Sequence, residues 1–344
     1  MKFEKVVLDS DFHRAYAVGN VTIDGNLHLI VASEAIDGKC VIYSGKDFKK
    51  KDVIWEDQGG TMSIVEIPNS NGEFLAVRNF FPGFNGLTAK VVHVKYENEK
   101  FVVRDFIDLP YLHRFDLIET NDGIYFIGAS LCTSKKERED WSDPGKVFVG
   151  KLPSDLTKGM EVKPILENLT RNHGYYRAPY KGVMSGYVTS DEGLFVFTPP
   201  HDGNDWKIEH LMKKPISDIA VLDLDDDGVA EILTIEPFHG NDMYIYKFEN
   251  NEYKKVYTVP RPLEFAHALW GSTLKDEKAF VCGIRRLNKE MFYITYNKAT
   301  KAYELIEIDR EIGPANLKVI NLEDQDLILT ANNTIHEAAY YLVK

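Results

Sequence analysis

The sequence predicts an all-β protein, and specifically a seven-bladed β-propeller made of four-stranded blades. Most of the chain alternates short runs of Val, Ile, Tyr and Phe with turns rich in Gly, Asn and Asp, which is typical of strands joined by hairpins. These strand-turn-strand units recur about every forty to fifty residues, the period of a propeller blade. The seven units begin near His13, Gly60, His113, Met184, Ile216, Ala266 and Ala315.

The two ends of the chain complement one another in this pattern. The last unit holds only about three strands, one fewer than a blade needs. The segment KFEKVVLD, in contrast, precedes the first unit and is a strand without a blade. Pairing this strand with the last blade would close the ring and leave no open sheet edge. The sequence therefore predicts one propeller domain that spans residues 1–344.

Composition narrows the class of partner and the compartment. The formal charge of −12 and the lack of a basic stripe argue against a nucleic-acid partner. The start of the chain has neither a signal peptide nor a membrane anchor, and no window is long enough to span a bilayer, so no membrane partner is expected. Cys40, Cys132 and Cys282 are far apart and lie mostly in apolar runs, as reduced thiols do. We expect a cytoplasmic protein.

The most distinctive local pattern lies in AVLDLDDDGVAEILTIEPFHG, residues 220–240, which contains D-x-D-x-D-G-x-x-E. Its acidic residues are Asp223, Asp225, Asp227 and Glu231. Oxygen ligands at positions one, three and five, followed by a Gly at the tight turn, suit a hard cation. The pattern predicts a structural Ca²⁺ or Mg²⁺ site in the first turn of the fifth blade. Asp and Gly also favour turns without a metal, and that alternative stays open.

This loop resembles the FG-GAP/VCBS class of propeller repeat. Three further segments are similar to the propeller part of the aldos-2-ulose dehydratase/isomerase group. They are LHRFDLIE with EDWSDPGKVFVGKLP, EGLFVFTPPHDGNDWKIEHL, and EFAHALWG followed by CGIRR. The resemblance extends over essentially the whole chain. It implies a metal-assisted lyase or isomerase that acts on ketosugars such as glucosone or anhydrofructose.

The histidines are concentrated at one end of the predicted blades. In a four-stranded blade the first strand begins where the second strand ends, so residues at these two places share one face. Seven of the ten histidines occupy them: His13, His113, His173, His201, His239, His267 and His336. Converging imidazoles bind Zn²⁺ or serve as acid and base near neutral pH. Alternatively, each caps a strand or a loop by itself. His28, His93 and His210 are expected to be ordinary core or surface residues.

We assign roles for a sugar dehydration next to a carbonyl, which needs an electrophile, a base and an acid. The metal-facing residues, for Zn, Mn or Fe, are His113, His173 and His239. The candidates for catalysis, mainly proton transfer, are His201, His267, Tyr175 and Arg114. The candidates for binding a small carbohydrate substrate are Phe81, Phe84, Arg78, Arg285, His13 and His336.

Two other classes of function remain open. Many propellers bind protein or carbohydrate partners without catalysis, and such a protein would expose aromatic side chains on its rim. A glycoside hydrolase would instead need two facing carboxylates, for which Glu34, Glu236 and Asp116 are the candidates. No phosphate-binding loop, nucleotide fingerprint or serine-hydrolase elbow is present in the sequence.

Overall fold

The computed structural model describes residues 1–344, which form seven antiparallel sheets of four strands each and no long helix. This arrangement confirms the predicted seven-bladed β-propeller. The blades group into two compact units. The four-blade unit is Ala17–Lys214, and the three-blade unit comprises Met1–Tyr16 with Pro215–Lys344. The single domain expected over residues 1–344 stays a prediction.

The strands are numbered in chain order, and three 3₁₀ turns accompany them. The strands are β1 (Phe3–Asp9); β2 (Ala15–Ile23), β3 (Asn26–Ser33), β4 (Cys40–Ser44), β5 (Lys50–Trp55); β6 (Ile64–Glu66), β7 (Phe74–Arg78), β8 (Lys90–Glu97), β9 (Lys100–Asp108); β10 (Leu112–Thr120), β11 (Gly123–Ser130), β12 (Gly145–Lys151), β13 (Lys163–Leu169); β14 (Gly174–Tyr180), β15 (Val183–Ser190), β16 (Gly193–Thr198), β17 (Lys207–Met212); β18 (Asp218–Leu222), β19 (Glu231–Glu236), β20 (Asp242–Glu249), β21 (Glu252–Thr258); β22 (Glu264–Leu274), β23 (Glu277–Arg286), β24 (Met291–Asn297), β25 (Ala302–Asp309); β26 (Pro314–Asn321), β27 (Asp326–Asn332), β28 (Glu337–Val343). The 3₁₀ turns are Lys46–Phe48, Leu156–Lys158 and Asn333–Ile335.

The N-terminal strand completes the last blade, as the sequence predicts. Six blades use four consecutive strands, whereas the seventh has the order β1-β28-β27-β26. Phe3 lies opposite Val343 in the antiparallel pair. Beyond it, the Lys2 and Lys344 backbones exchange two hydrogen bonds, each with an N–O distance of 2.8 Å. The edge of β28 is therefore covered by β1.

The fourth blade begins about ten residues earlier than the repeat pattern indicated. The sequence placed its start near Met184 and assigned the preceding segment to a loop, but Gly174–Tyr180 is the first strand, β14. A tight turn with positive φ at Lys181 (50°) and Gly182 (84°) joins it to β15. Pro179 is tolerated because β14 is an edge strand of its sheet, where the missing N–H breaks no ladder bond. Tyr175 and Arg177 thus project from a strand.

The core follows the position of a strand within its blade. All residues of β16 and β27 are buried, because a middle strand is covered on both faces. The outermost strands, such as β21, are largely exposed or half-buried. One core cluster in the three-blade unit packs Leu274, Tyr293 and Ile328 beside the closing blade. None of the helical segments has the length and apolar character needed to cross a membrane.

We expect the three cysteines to be unreactive in the native protein. Cys40, Cys132 and Cys282 are free and buried. Burial raises the pKa of Cys132 to about 12, and it raises those of Cys40 and Cys282 well above the ordinary value. A raised thiol pKa leaves little thiolate at pH 8, and the thiolate is the reactive form.

Titration with Ellman's reagent measures this directly. The native chain should give fewer than about 0.3 thiols within minutes. The denatured chain should give all three. Rapid reaction of a full equivalent in the native state would contradict the burial of at least one thiol.

Candidate functional site

Histidines mark the same end of the blades in both units. In the four-blade unit, His113 is the second residue of β10, His173 directly precedes β14, and His201 follows β16. In the three-blade unit, His239 follows β19 and His267 lies in β22. His113, His173, His239 and His267 therefore lie near the start of a first strand or after the end of a second strand, as the sequence predicts. The prediction is wrong for His201, because β16 is the third strand of its blade and ends at the opposite end, where Asp202 N–H donates to Asn121 Oδ1 at 3.3 Å in the β10–β11 turn. The error follows from the predicted start of the fourth blade, which made β16 a second strand.

A pair of buried histidines lies in the four-blade unit. The ring centroids of His113 and His173 are 4.5 Å apart, and the side chains are 4% and 1% exposed. The Phe80 ring meets His113 edge-on at 5.3 Å. The two imidazoles therefore form a compact pair walled by an aromatic ring.

Tyr175 lies two residues before Arg177 on β14, and Arg177 forms an ion pair with Asp116 of the neighbouring third blade. Arg177 Nε is 3.4 Å from Asp116 Oδ2, and its Nη1 donates to the Leu117 carbonyl at 2.7 Å. Burial and the charge of Asp116 raise the pKa of Tyr175 well above its ordinary value. The phenol therefore keeps its proton at neutral pH and is a weak acid, which does not favour the predicted role in proton transfer. Arg114, another predicted catalytic residue, is half-buried, and its Nη1 lies 3.4 Å from the Met62 carbonyl oxygen.

The two aromatic residues predicted to bind substrate, Phe81 and Phe84, have contacts within the protein. The Phe84 ring meets Trp141 at 5.2 Å, and Lys135 Nζ lies 3.2 Å from the centroid of the Trp141 ring. Phe81 forms an isolated bridge with Asn85. Trp141 is not among the predicted site residues, because nothing in the sequence indicates that it lies beside Phe84. Sugar binding by Phe81 and Phe84 stays a prediction.

A second cluster of rings lies in the three-blade unit. The His239 ring stacks on Phe238 at 4.0 Å and meets Phe265 edge-on at 4.4 Å. Its centroid is 5.4 Å from that of His267. Phe238, His239 and Phe265 are half-buried, whereas His267 is buried. We call Phe238, His239, Phe265 and His267 the ring cluster.

Two guanidinium groups flank the ring cluster. The guanidinium carbons of Arg285 and Arg286 are 5.1 Å and 4.9 Å from the centroid of Phe265. Arg285 Nη2 also donates to Asn333 Oδ1 at 2.6 Å. The half-buried Phe265 ring therefore lies at the end of β23 with two guanidinium groups beside it.

Hydrogen bonding fixes the tautomer of His267. Its Nδ1 lies 2.5 Å from the carbonyl oxygen of Ala315, which can only accept, so Nδ1 carries the proton. The neutral ring then has its lone pair on Nε2, which is 3.4 Å from the Tyr16 hydroxyl. A backbone carbonyl that holds one ring nitrogen is the usual support for a histidine metal ligand. One ring nitrogen of His239 and one of His267 lie within 4.8 Å of each other.

The remaining predicted residues have local partners. His13 and His336 are exposed, with ring centroids 5.3 Å apart. His201 Nδ1 contacts the Pro199 carbonyl oxygen at 2.8 Å. Arg78 is buried, and its guanidinium donates to the carbonyl groups of Asp57 and Gln58 at 2.9 Å. The roles assigned to these residues stay predictions.

The structure brings the predicted metal-facing histidines together in pairs. His113 pairs with His173, and His239 pairs with His267, which the sequence had assigned to proton transfer. The acidic loop joins β18 to β19, in the first turn of the fifth blade as predicted. There, Asp223, Asp225 and Asp227 each have an oxygen within 4.8 Å of the others.

The seven four-stranded blades, with β1 completing the last, define the class as seven-bladed β-propellers. Sqt1 of Saccharomyces cerevisiae is similar in structure, with a TM-score of 0.60 at 11% sequence identity over 100% of each chain. At this identity the likeness shows the fold alone. No family model and no curated protein matches the sequence. The resemblance to the FG-GAP/VCBS class and to the aldos-2-ulose dehydratase/isomerase group therefore stays a prediction.

Proposed function

We propose that this protein is a ligand-binding propeller that binds a carbohydrate at the ring cluster. The observation that carries the proposal is the half-buried state of Phe238, His239 and Phe265 at the end of their blades. The part of these three rings that is exposed to solvent offers aromatic surface to the C–H groups of a sugar. Imidazole and guanidinium groups beside them supply hydrogen-bond donors that fix its orientation.

Arg285 and Arg286 indicate which class of carbohydrate the ring cluster would bind. Arg285 and Arg286 lie over the Phe265 ring, and a guanidinium pairs well with a carboxylate. The chain carries a net charge of −12, and Arg286 Nη1 already lies 3.5 Å from Glu264 Oε1, so an anionic sugar would gain its attraction here mainly from Arg285. Among carbohydrates, we expect acidic sugars to bind more tightly than neutral ones.

A glycan array followed by titration calorimetry tests this proposal. The wild-type chain should bind at least one carbohydrate. Phe265→Ala and His239→Ala should each weaken binding about tenfold or more, because a central aromatic contact is worth about 1.4 kcal/mol or more. The matched control is His28→Ala, since His28 bonds locally to the Asn26 carbonyl on another blade. A blank array, or wild-type affinity in both ring-cluster variants, would overturn the proposal.

A second candidate function is a metal-assisted dehydratase or isomerase of ketosugars. The observation that favours it is the fixed tautomer of His267, whose Nε2 lone pair suits a divalent ion such as Zn, Mn or Fe. His239 and His267 would hold the ion, which would polarise the sugar carbonyl. The Tyr16 hydroxyl, 3.4 Å from Nε2, would have to give up this contact to the ion, while the Ala315 carbonyl would keep the ring oriented through Nδ1.

The test of this second function uses glucosone and elemental analysis. Loss of water next to the carbonyl produces a conjugated enone, which absorbs in the ultraviolet. The second function predicts enone formation that stops with a chelator and in His239→Ala/His267→Ala, together with loss of bound metal. Carbohydrate binding with glucosone recovered unchanged, as neither enone nor isomer, would leave the first function and reject the second.

A further inference from the structure

The acidic loop has the backbone of a cation-binding turn. Gly228, at the sixth position, has φ of 88°, which only glycine adopts readily. Its N–H donates to Asp223 Oδ2 at 3.3 Å, and Val229 N–H donates to Asp227 Oδ1 at 2.9 Å. The side-chain oxygens of the loop are thereby gathered on its inner side.

A lysine from the neighbouring strand occupies the centre of these oxygens. Lys247 projects from β20, and its side chain is 10% exposed. Its ammonium donates a short hydrogen bond to Asp225 Oδ2. It also lies 2.8 Å from Asp227 Oδ2 and 3.3 Å from Glu231 Oε1. One ammonium thus contacts three of the four carboxylates predicted to bind a metal.

Both carboxylate oxygens of the fully buried Glu231 have hydrogen-bond donors from the protein. Its Oε2 accepts the Leu224 N–H at 2.7 Å. Its Oε1 lies 3.3 Å from Lys247 Nζ and 3.4 Å from the Tyr303 hydroxyl. Both oxygens expected to close a metal shell therefore already have partners.

Two more lysines neutralise the outer side of the loop. Lys278 Nζ lies 3.4 Å from Asp223 Oδ2 and 2.5 Å from Asp226 Oδ1. Lys298 Nζ lies 2.5 Å from Asp226 Oδ2. Hydrogen bonds from these two lysines lower the pKa of Asp226 to about 2. The loop carboxylates therefore have ammonium partners without any metal.

We infer that the Lys247 ammonium is the resident cation of the acidic loop and takes the place that the sequence assigned to Ca²⁺ or Mg²⁺. Calcium needs oxygens at about 2.3–2.6 Å on several sides at once. An ammonium in hydrogen-bond contact with Asp225, Asp227 and Glu231 fills that space, so ion and ammonium exclude each other. The residues present do not fit a bound metal while Lys247 points inward, and the turn is closed by an ion pair between strands.

Calcium titration of the wild type and of Lys247→Met tests the inference. After treatment with EDTA, the wild type should show no heat of calcium binding and no change of Tm with 5 mM added calcium. Lys247→Met leaves the carboxylates without their ammonium, so Tm in EDTA should fall by about 5 °C or more. The variant should then bind one calcium with a Kd of about 10⁻³ M or tighter, and calcium should restore most of the lost Tm.

Lys298→Met is the matched control, because it removes a largely exposed lysine from Asp226 and leaves Lys247 in place. It should keep the Tm of the wild type and gain no calcium site. Wild-type protein that copurifies with about one calcium per chain, or whose Tm rises with calcium, would overturn the inference. So would a folded Lys247→Met that binds no calcium. If that variant does not fold, the wild-type titration still decides the question.

Discussion

Deleting residues 1–9 should lower Tm by about 5 °C or more and make the protein prone to aggregation. The deletion removes β1, whose Phe3 ring packs 5.7 Å from Tyr293 and whose Lys5 lies 2.8 Å from Glu337 Oε1. It also exposes the backbone edge of β28, which templates pairing with other chains. Full burial of a Phe side chain contributes about 1.5–3 kcal/mol, and the half-buried Phe3 contributes part of this.

Thermal unfolding and light scattering measure both effects. The control is Val7→Ser, since Val7 is 47% exposed and its replacement should leave Tm almost unchanged. A synthetic peptide of residues 1–9 should restore part of the lost Tm when added in excess. A truncated chain that unfolds at the wild-type temperature would contradict the role of β1 in closing the last blade.

Replacing Arg261 by Met should lower the free energy of unfolding by about 3–5 kcal/mol. Arg261 Nη1 lies 2.5 Å from Glu290 Oε2, and the Glu290 side chain is 0% exposed. The second oxygen of Glu290 is also buried and receives no hydrogen bond. Removing the guanidinium would leave a buried carboxylate without its charged partner, which costs far more than the lost contact.

Urea denaturation of a double-mutant cycle tests this explanation. Arg261→Met/Glu290→Leu should recover most of the stability, because the uncompensated charge is then gone. Lys289→Met is the control, since its exposed pair with Glu311, at 3.3 Å, is worth about 1 kcal/mol at most. If Arg261→Met lowers the free energy of unfolding by no more than this control does, Glu290 is not stabilised by its pair with Arg261.

Most of the fold was predictable from the sequence because the evidence for it recurs in every blade. The strand-turn-strand period fixed the number of blades, and the surplus N-terminal strand identified its partner at the C-terminus. The start of the fourth blade was predicted wrongly since Pro179 and the Lys181-Gly182 turn look like a loop. Gly174–Tyr180 is a strand because it pairs with β15, and this pairing is not visible in the local sequence.

The site was predictable in position but not in detail. Strand order alone places His113 beside His173 and His239 near His267. The partners of these residues come from distant parts of the chain: Tyr16 reaches His267 across 251 positions. Lys247 is likewise one of several lysines in the sequence, and only the packing of β20 against the acidic loop shows that its ammonium lies among the carboxylates.

The most direct test of the central claim, ligand binding at the ring cluster, is an NMR titration that follows the ring Cε1–H signals of all ten histidines. The titrant is the tightest-binding sugar from the glycan array. We predict that the signals of His239 and His267 shift in proportion to occupancy while those of His28 and His210 stay fixed. Shifts confined to His28 or His210, with His239 and His267 unchanged, would place the ligand elsewhere and contradict the proposal.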